Sequence, residues 1–189
     1  VYAVYQVVQG RPEPETWNAM AWVILLFTAF NGVTRGMEED RPEVLAYLRT
    51  TVQPVHYMTA RMLHNTVTLA GLACLVVALM GLLLGWSQLD GPRLWGFVGG
   101  MVLTSISLGC TLTLIALIAS RAGAGFGMTA VLGLPLVLPT VLVSTTLGDE
   151  LMRGVLVADT WQNFAFLGAL AMGSATLGLV LFPYLWRAS

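Results

Sequence analysis

The sequence predicts an all-α polytopic membrane helix bundle, and three observations carry this prediction. Of the 189 residues, 57% are hydrophobic and only 10% are charged, whereas soluble proteins carry about 25% charged residues. The mean hydropathy is +0.77. Five apolar stretches are each long enough to cross about 30 Å of hydrocarbon as a helix. We therefore expect a single transmembrane domain over residues 1–189, without a separate soluble domain.

The apolar stretches follow one another with short polar breaks between them. Residues 1–8 fit the end of a first helix, so we expect six transmembrane helices in the intact protein, five complete and one stub here. Thr16 is expected to cap the first complete helix, and Pro135 and Pro139 to kink or break the fourth. The complete helices, numbered 2 to 6, are predicted at residues 17–34, 66–86, 94–120, 126–147 and 161–186.

Arginine distribution predicts the orientation, because cytoplasmic loops of multi-pass proteins carry more basic residues. The chain has nine arginines and no lysine. Six of the nine fall in one set of alternate loops and three in the other. The richer side holds residues 38–54, the turn at 120–125 and the C-terminus, which we therefore expect in the cytoplasm. Interfacial aromatic residues are expected to mark the membrane edges: Trp17, Trp86, Trp95, Trp161, Tyr184 and Trp186.

One charged segment, EEDRPEVLAYLRTTVQP at residues 38–54, interrupts the apolar sequence. Asp40 and Glu43 resemble a capping box. Four apolar residues then share one face at helical spacing, namely Val44, Leu45, Leu48 and Val52. Pro54 is expected to end this helix and turn the chain into the next span. Such a helix fits either the membrane interface or a groove on a partner protein, and the residues alone leave both open.

Several kinds of site are not expected in this chain. The net charge of −1 gives no basic patch for nucleic acid. The turn GAGFG at residues 123–127 lacks the phosphate-loop pattern. Cys74 and Cys110 lack the spacing of a disulfide framework or zinc site. We therefore predict no nucleotide, metal or nucleic-acid site.

The two histidines and the absence of catalytic motifs limit the remaining chemistry. His56 and His64 would lie about 12 Å apart along one helix, too far to ligate one haem iron together, although either is free to act alone. The spans carry no mid-depth ionisable residue of the kind that ion-coupled carriers use. Neither the serine motif GxSG nor the zinc motif HExxH is present. We therefore expect no catalytic residues and no enzyme activity in this chain.

Small residues recur in two of the predicted helices. The sequence GLLLG spans Gly81–Gly85, and GALAMGSATLG spans Gly168–Gly178. Such spacing allows helices to approach closely in lipid. It fits packing within the subunit and also fits an interface between two copies of the chain.

Four stretches in order resemble the haem exporter protein B (CcmB) family, the membrane subunit of the ABC complex of cytochrome c maturation. They are TWNAMAWVILLFTAFNGVTR, EVLAYLRTTVQPVHYMTARMLHN, LGLPLVLPTVLVS and LFPYLWR. The resemblance implies an ABC exporter permease in the bacterial inner (cytoplasmic) membrane, with residues 38–54 as the cytoplasmic coupling segment. It implies that Glu43, Val44, Leu45, Leu48 and Pro54 contact the ATPase.

The resemblance also implies partners and a ligand. The expected partners are a CcmA-like ABC ATPase, other cytochrome c maturation membrane proteins and a second permease copy. Haem is expected only as a transported or handled ligand, and the chain itself is not expected to hold a cofactor. Two alternatives stay open, an ABC exporter permease for a lipid, drug or polysaccharide, and a membrane scaffold without transport activity in haem-protein assembly.

Overall fold

Five long helices make up most of the described chain. The computed structural model describes residues 13–38, 47–48, 50–85, 91–121 and 126–187. The helices within these ranges are α1 (Pro14–Glu38), α2 (Pro54–Leu84), α3 (Pro92–Arg121), α4 (Phe126–Met152) and α5 (Trp161–Arg187). Each is long and apolar enough to cross a membrane. The prediction of a helical multi-pass membrane protein is confirmed at this level.

Proline sets where three helices begin. Pro14, Pro54 and Pro92 are the first residues of α1, α2 and α3. The N–H at the first position of a helix has no acceptor within the helix, so proline costs no hydrogen bond there. Thr16 therefore lies inside the first turn of α1 and is not its cap, contrary to the sequence prediction. Gly91, with φ of 41°, forms the turn before Pro92.

The helices are longer than the apolar stretches that predicted them. The largest difference is in α2, which begins at Pro54, twelve residues before its predicted start. The polar residues at the start of α2 are helical because the backbone hydrogen bonds of a helix form whether the side chains are polar or apolar. The helix α4 runs without interruption through Pro135 and Pro139, so neither proline breaks it.

The helix α3 lies at the centre of the bundle. It packs against each of the other four helices, while α1 and α5 each pack against α2 and α4. Within their most apolar segments, 78% of residues are buried in α3 but only 17% in α5. Large apolar side chains such as Phe27, Leu82 and Leu83 point outward. A central helix inside a ring of four, with an apolar outer surface, is the arrangement that a lipid environment favours.

Side-chain contacts show that successive helices alternate in direction. At one end of the bundle, here called the Asn18 end, Trp17 of α1, Phe97 of α3, Leu151 of α4 and Leu167 of α5 share one buried cluster. At the other end, here called the Met58 end, Met58 and Met62 of α2 meet Leu117 of α3 and Phe182 of α5. A third cluster between them joins α1, α2, α3 and α4.

Aromatic residues at the helix ends follow the sequence prediction only in part. Trp95 and Trp161 are exposed at the Asn18 end, and Tyr184 is exposed near the Met58 end, as interfacial anchors would be. Trp17 is only 1% exposed, and its ring meets that of Phe97 edge-on at 5.4 Å. Trp17 thus lies in the first turn of α1, but it packs in the core instead of facing outward.

Candidate functional site

The segment predicted to contact an ATPase is described only at its end. Glu43, Val44 and Leu45 lie outside the described residues. Leu48 lies in a helical turn and is half-buried, and its carbonyl accepts a hydrogen bond from the Val52 N–H at 2.8 Å. The backbone then becomes extended at Gln53, and Pro54 starts α2. The helical turn that holds Leu48 is thus joined to α2 by two residues.

The first turns of α2 are fixed against α5. The rings of Tyr57 and Phe182 stack with centroids 5.7 Å apart and an interplanar angle of 14°. Met58 is 1% exposed and lies in the same cluster as Phe182. Gly178 of α5 leaves space for the side chains of Met58 and Met62. A Cβ at position 178 would lie only 2.9 Å from the Met58 methyl group. Any displacement of Pro54 therefore acts directly on this contact.

Farther along, α2 is fixed against the central helix. The buried Asn65 amide donates a hydrogen bond to the Thr113 hydroxyl of α3 at 2.8 Å. One helical turn away, the two backbones approach closely, because a Cβ on Gly109 would lie 3.2 Å from the Thr66 Cα. The start of α2 is thus connected through packed side chains to both α5 and α3.

Hydroxyl groups connect α3 to its other neighbours as well. Thr104 and Ser144 of α4 are hydrogen-bonded at 2.8 Å. Thr111 and Ser174 of α5 are hydrogen-bonded at 2.7 Å. With little hydrophobic driving force between helices in lipid, such bonds and close packing hold a bundle together. The central helix is therefore tied by a polar contact to each of α2, α4 and α5.

Three buried polar atoms have no hydrogen-bond partner among the described residues. They are the Trp17 indole nitrogen and the hydroxyls of Ser107 and Thr140. Both hydroxyl residues are 0% exposed. A buried polar group without a partner costs about 1–3 kcal/mol, so these two hydroxyls are costly to bury unless a further group bonds to them.

A polar contact closes the Asn18 end between α1 and α4. The Asn18 amide donates to the Thr145 carbonyl at 2.9 Å, and its side-chain oxygen accepts from the Trp22 indole at 2.6 Å. Gly148 lies directly against this group, since a Cβ there would lie 2.8 Å from the Trp22 indole nitrogen. Asn18 is only 5% exposed, so its buried amide depends on these two hydrogen bonds for its partners.

Charged residues surround the opening beside Asn18. Arg153 lies 3.0 Å from Glu15 and 2.9 Å from Asp149. The hydrogen bond to Asp149 and the charge of that carboxylate raise the pKa of Arg153, with a smaller contribution from Glu15. A cavity of about 290 Å³ lies between Glu15, Asn18, Thr145 and Asp149. Two of the residues that line this cavity, Glu15 and Asp149, are acidic, and the cavity lies at the Asn18 end of the bundle.

The chain matches no protein-family model, no curated protein and no solved structure. The resemblance to the haem exporter protein B family therefore stays a prediction. The residues and contacts of the chain itself are the basis for inferring its function.

The histidines and cysteines are distributed along the bundle without convergence. His56 and His64 are both exposed on α2, Cys74 is exposed and Cys110 is buried. Across the described ranges, no three His, Cys, Asp or Glu side chains come together as a metal site would require.

Sequence reasoning did not find the Asn18 contact or the hydroxyl contacts of α3. The sequence did carry a signal for the hydroxyl contacts of α3. Small and hydroxyl residues recur there every three or four positions, at Gly96, Gly100, Thr104, Ser107 and Thr111. Small and hydroxyl residues at that spacing indicate a helix face packed closely against its neighbours. The position of Asn18 four residues before Trp22 indicates one shared helix face, but its partner Thr145 is 127 residues away.

Proposed function

We propose that this chain is the membrane permease subunit of an ABC transporter that acts in haem export or delivery for cytochrome c biogenesis. ATP hydrolysis takes place in a partner subunit, and the chain converts it into movement of its helices. Three features support the proposal: the bundle of five membrane-length helices, the resemblance of four sequence stretches, and the connection of Leu48 to α2.

The connection of Leu48 to α2 is the observation that carries the proposal. The helical turn that holds Leu48 is joined through Val52 and Gln53 to the first residue of a helix of 31 residues. That helix rises about 46 Å at 1.5 Å per residue. Tyr57, Met58 and Asn65 attach it to α5 and α3. Force applied to the start of α2 therefore reaches the centre of the bundle through packed groups.

In the proposed cycle, closure of the ATPase subunits displaces residues 38–54. The displacement tilts α2, and the contacts at Tyr57 and Asn65 pass the movement to α5 and α3. Such coupling requires that the ATPase bind the two arrangements with different affinity. Leu48 contributes apolar contact in a groove on the ATPase, together with Val44 and Leu45, while Glu43 caps the segment or meets a charge.

The finer parts of the proposal come from the family resemblance. It supports a CcmA-like ATPase, other cytochrome c maturation membrane proteins and a second permease copy as partners. It also supports a bacterial inner membrane location, and the arginine distribution supports a cytoplasmic C-terminus. Haem is the proposed ligand, transported or handled, with His56 and His64 as surface residues able to contact it singly.

A charge placed at Leu48 tests the proposed contact with the ATPase. Leu48→Asp should uncouple ATP hydrolysis from cytochrome c assembly while the protein still inserts in the membrane, because a carboxylate is costly in an apolar groove. Thr50→Asp is the matched control, since Thr50 is exposed in the same helical turn. Holo-cytochrome content, ATPase co-purification and membrane yield are measured for both variants.

Normal holo-cytochrome content together with normal ATPase association in Leu48→Asp would refute the proposal. Equal loss in both variants would show that charge anywhere in the turn is harmful, and would remove Leu48 as a specific contact. Co-purification in mild detergent, with mass spectrometry and a haem absorption spectrum, separates the alternatives. An ATPase without haem-handling partners would indicate another exported substrate, and absence of any ATPase would indicate a scaffold.

A further inference from the structure

The helices α3 and α4 pack in a regular antiparallel register. Gly96 faces Leu151 and Gly100 faces Leu147, judged by where a Cβ on each glycine would lie. Thr104 then meets Ser144 through their hydroxyls. Each step of four residues along α3 is matched by three or four residues back along α4.

Extended by one further step, of three residues along α3 and four back along α4, this register places Ser107 opposite Thr140. Beyond it, Ile115 of α3 meets Gly133 of α4, so the register continues on both sides of the pair. Ser107 and Thr140 are each 0% exposed, and neither hydroxyl has a hydrogen-bond partner among the described residues. Two unpartnered hydroxyls thus occupy the same level of one interface.

This level lies near the middle of the membrane. The apolar segments of the two helices are Pro92–Ala119 and Gly133–Met152, and Ser107 and Thr140 fall near the centre of each. Hydroxyls in helices commonly bond the carbonyl four residues before, as Ser105 and Ser144 do. Ser107 and Thr140 do not, so their hydroxyls stay available to a group that lies between the helices.

We propose that Ser107 and Thr140 form a buried water-binding site at the centre of the membrane. Buried waters are held by two to four polar partners that otherwise lack one, and these hydroxyls provide two. The hydroxyls of Thr104 and Ser144, one turn away on the same interface, are bonded to each other. The packing of α3 against α4 alone carries this inference, which is independent of an ATPase partner or of haem.

In this proposal, water enters from the cavity at the Asn18 end. Thr145 lies in the wall of that cavity and is five residues from Thr140, about 7.5 Å along α4. The neighbouring Ser144 turns its hydroxyl towards α3. Along the axis of α4, Thr145 and Ser144 therefore lie between the cavity and the level of Thr140.

Cysteine labelling tests whether water reaches the site. In a background with Cys74 and Cys110 replaced by alanine, Ser107→Cys, Thr140→Cys and Leu108→Cys are each treated with 2-aminoethyl methanethiosulfonate. This reagent needs a thiolate, and a thiol ionises only where water stabilises the charge. Leu108 is the matched control, because it is adjacent on α3 and 1% exposed. We expect both site cysteines to react at least about ten-fold faster than the control.

Reaction of either site cysteine at the rate of the Leu108→Cys control would overturn the proposal. Stability provides a second measurement, through Ser107→Ala, Thr140→Val and the double variant. If the hydroxyls share a water, each single substitution lowers the thermal midpoint. The decrease in the double variant is then smaller than the sum of the two single decreases. If the pair is dry, each substitution removes an unsatisfied group, and additive increases in the midpoint would overturn the proposal.

Discussion

The Asn18 side chain of α1 donates to the backbone carbonyl of Thr145 on α4 at 2.9 Å. Thr145 lies in the last two turns of α4, which ends at Met152. The bond therefore joins the beginning of α1 to the end of α4 and also orients the Trp22 indole, which donates to the same side chain. It fixes the wall of the acidic cavity at this end of the bundle.

Replacing Gly148 should break this contact from the α4 side. The Cβ of Gly148→Ala would collide with the Asn18 amide carbon and the Trp22 indole nitrogen, both 2.8 Å away. Overpacking of this kind typically costs about 1–3 kcal/mol, and loss of the Asn18 bond would add to it. We expect a lower midpoint of thermal unfolding in mild detergent and a wider separation of α1 from α4.

Gly168→Ala on α5 is the control for this substitution. A Cβ at Gly168 has no heavy atom within 4 Å among the described residues, and alanine is favoured over glycine in helices by about 0.5–1 kcal/mol. The midpoint of Gly168→Ala should therefore stay the same or rise. Equal midpoints for the two variants would show that Gly148 is not a site of close packing.

The difference between Gly148 and Gly168 illustrates what the sequence could and could not predict. Both glycines lie in apolar sequence, and composition assigns them to membrane helices without distinguishing them. Hydropathy predicted five spans because the free energy of burial in lipid adds up over about 20 local residues. Close approach depends instead on which helix lies opposite, and that is set by contacts such as Asn18 to Thr145, which are distant in sequence.

The errors at the helix ends have a similar physical cause. Hydropathy cannot detect the polar first turns of α2, so its predicted start at residue 66 missed the helix from Pro54 onward. Trp17 was assigned to the interface because tryptophan is common there, yet it packs on Phe97 in the core. Leu48 and Pro54 could be placed on the fold, whereas three other predicted contact residues fall outside the described residues: Glu43, Val44 and Leu45.

Gly109 is expected to control the distance between α2 and α3. A Cβ at this position would lie 3.2 Å from the Thr66 Cα and 3.3 Å from its nitrogen. These are backbone atoms, so the helices themselves would have to separate. Gly109→Ala should therefore lower stability by about 1–3 kcal/mol, measured as the detergent unfolding midpoint.

The control for Gly109 lies on the same helix. Gly99→Ala adds a methyl group at a position with no heavy atom within 4 Å among the described residues. It should leave the midpoint unchanged or raise it slightly, because alanine favours the helix. A stable Gly109→Ala protein with an unchanged midpoint would contradict the close approach of α2 and α3.

The Asn65–Thr113 hydrogen bond should show an asymmetry between its two partners. After Asn65→Leu, the Thr113 hydroxyl keeps its own bond to the Gly109 carbonyl. After Thr113→Val, the buried Asn65 amide loses the acceptor that it uses at 2.8 Å. We expect a loss of about 0.6 kcal/mol for Asn65→Leu, the average for such bonds in membranes, and a larger loss for Thr113→Val. The reverse order in unfolding experiments would show that Asn65 has another acceptor in the folded protein.

Arg153 should contribute little to stability in spite of its two ionic contacts. Its side chain is 63% exposed and that of Glu15 is 70% exposed, and exposed ion pairs are weakened by solvent and salt. Arg153→Gln is therefore expected to lower the unfolding midpoint only slightly at low ionic strength, and the difference should vanish near 1 M salt, where the screening length is about 3 Å. Contacts with Asp149 raise the pKa of Arg153, so its contribution would be lost only as the pH rises through that raised value, far above neutrality. A large loss of stability that persists in high salt would instead mean that Arg153 holds α1 and α4 together.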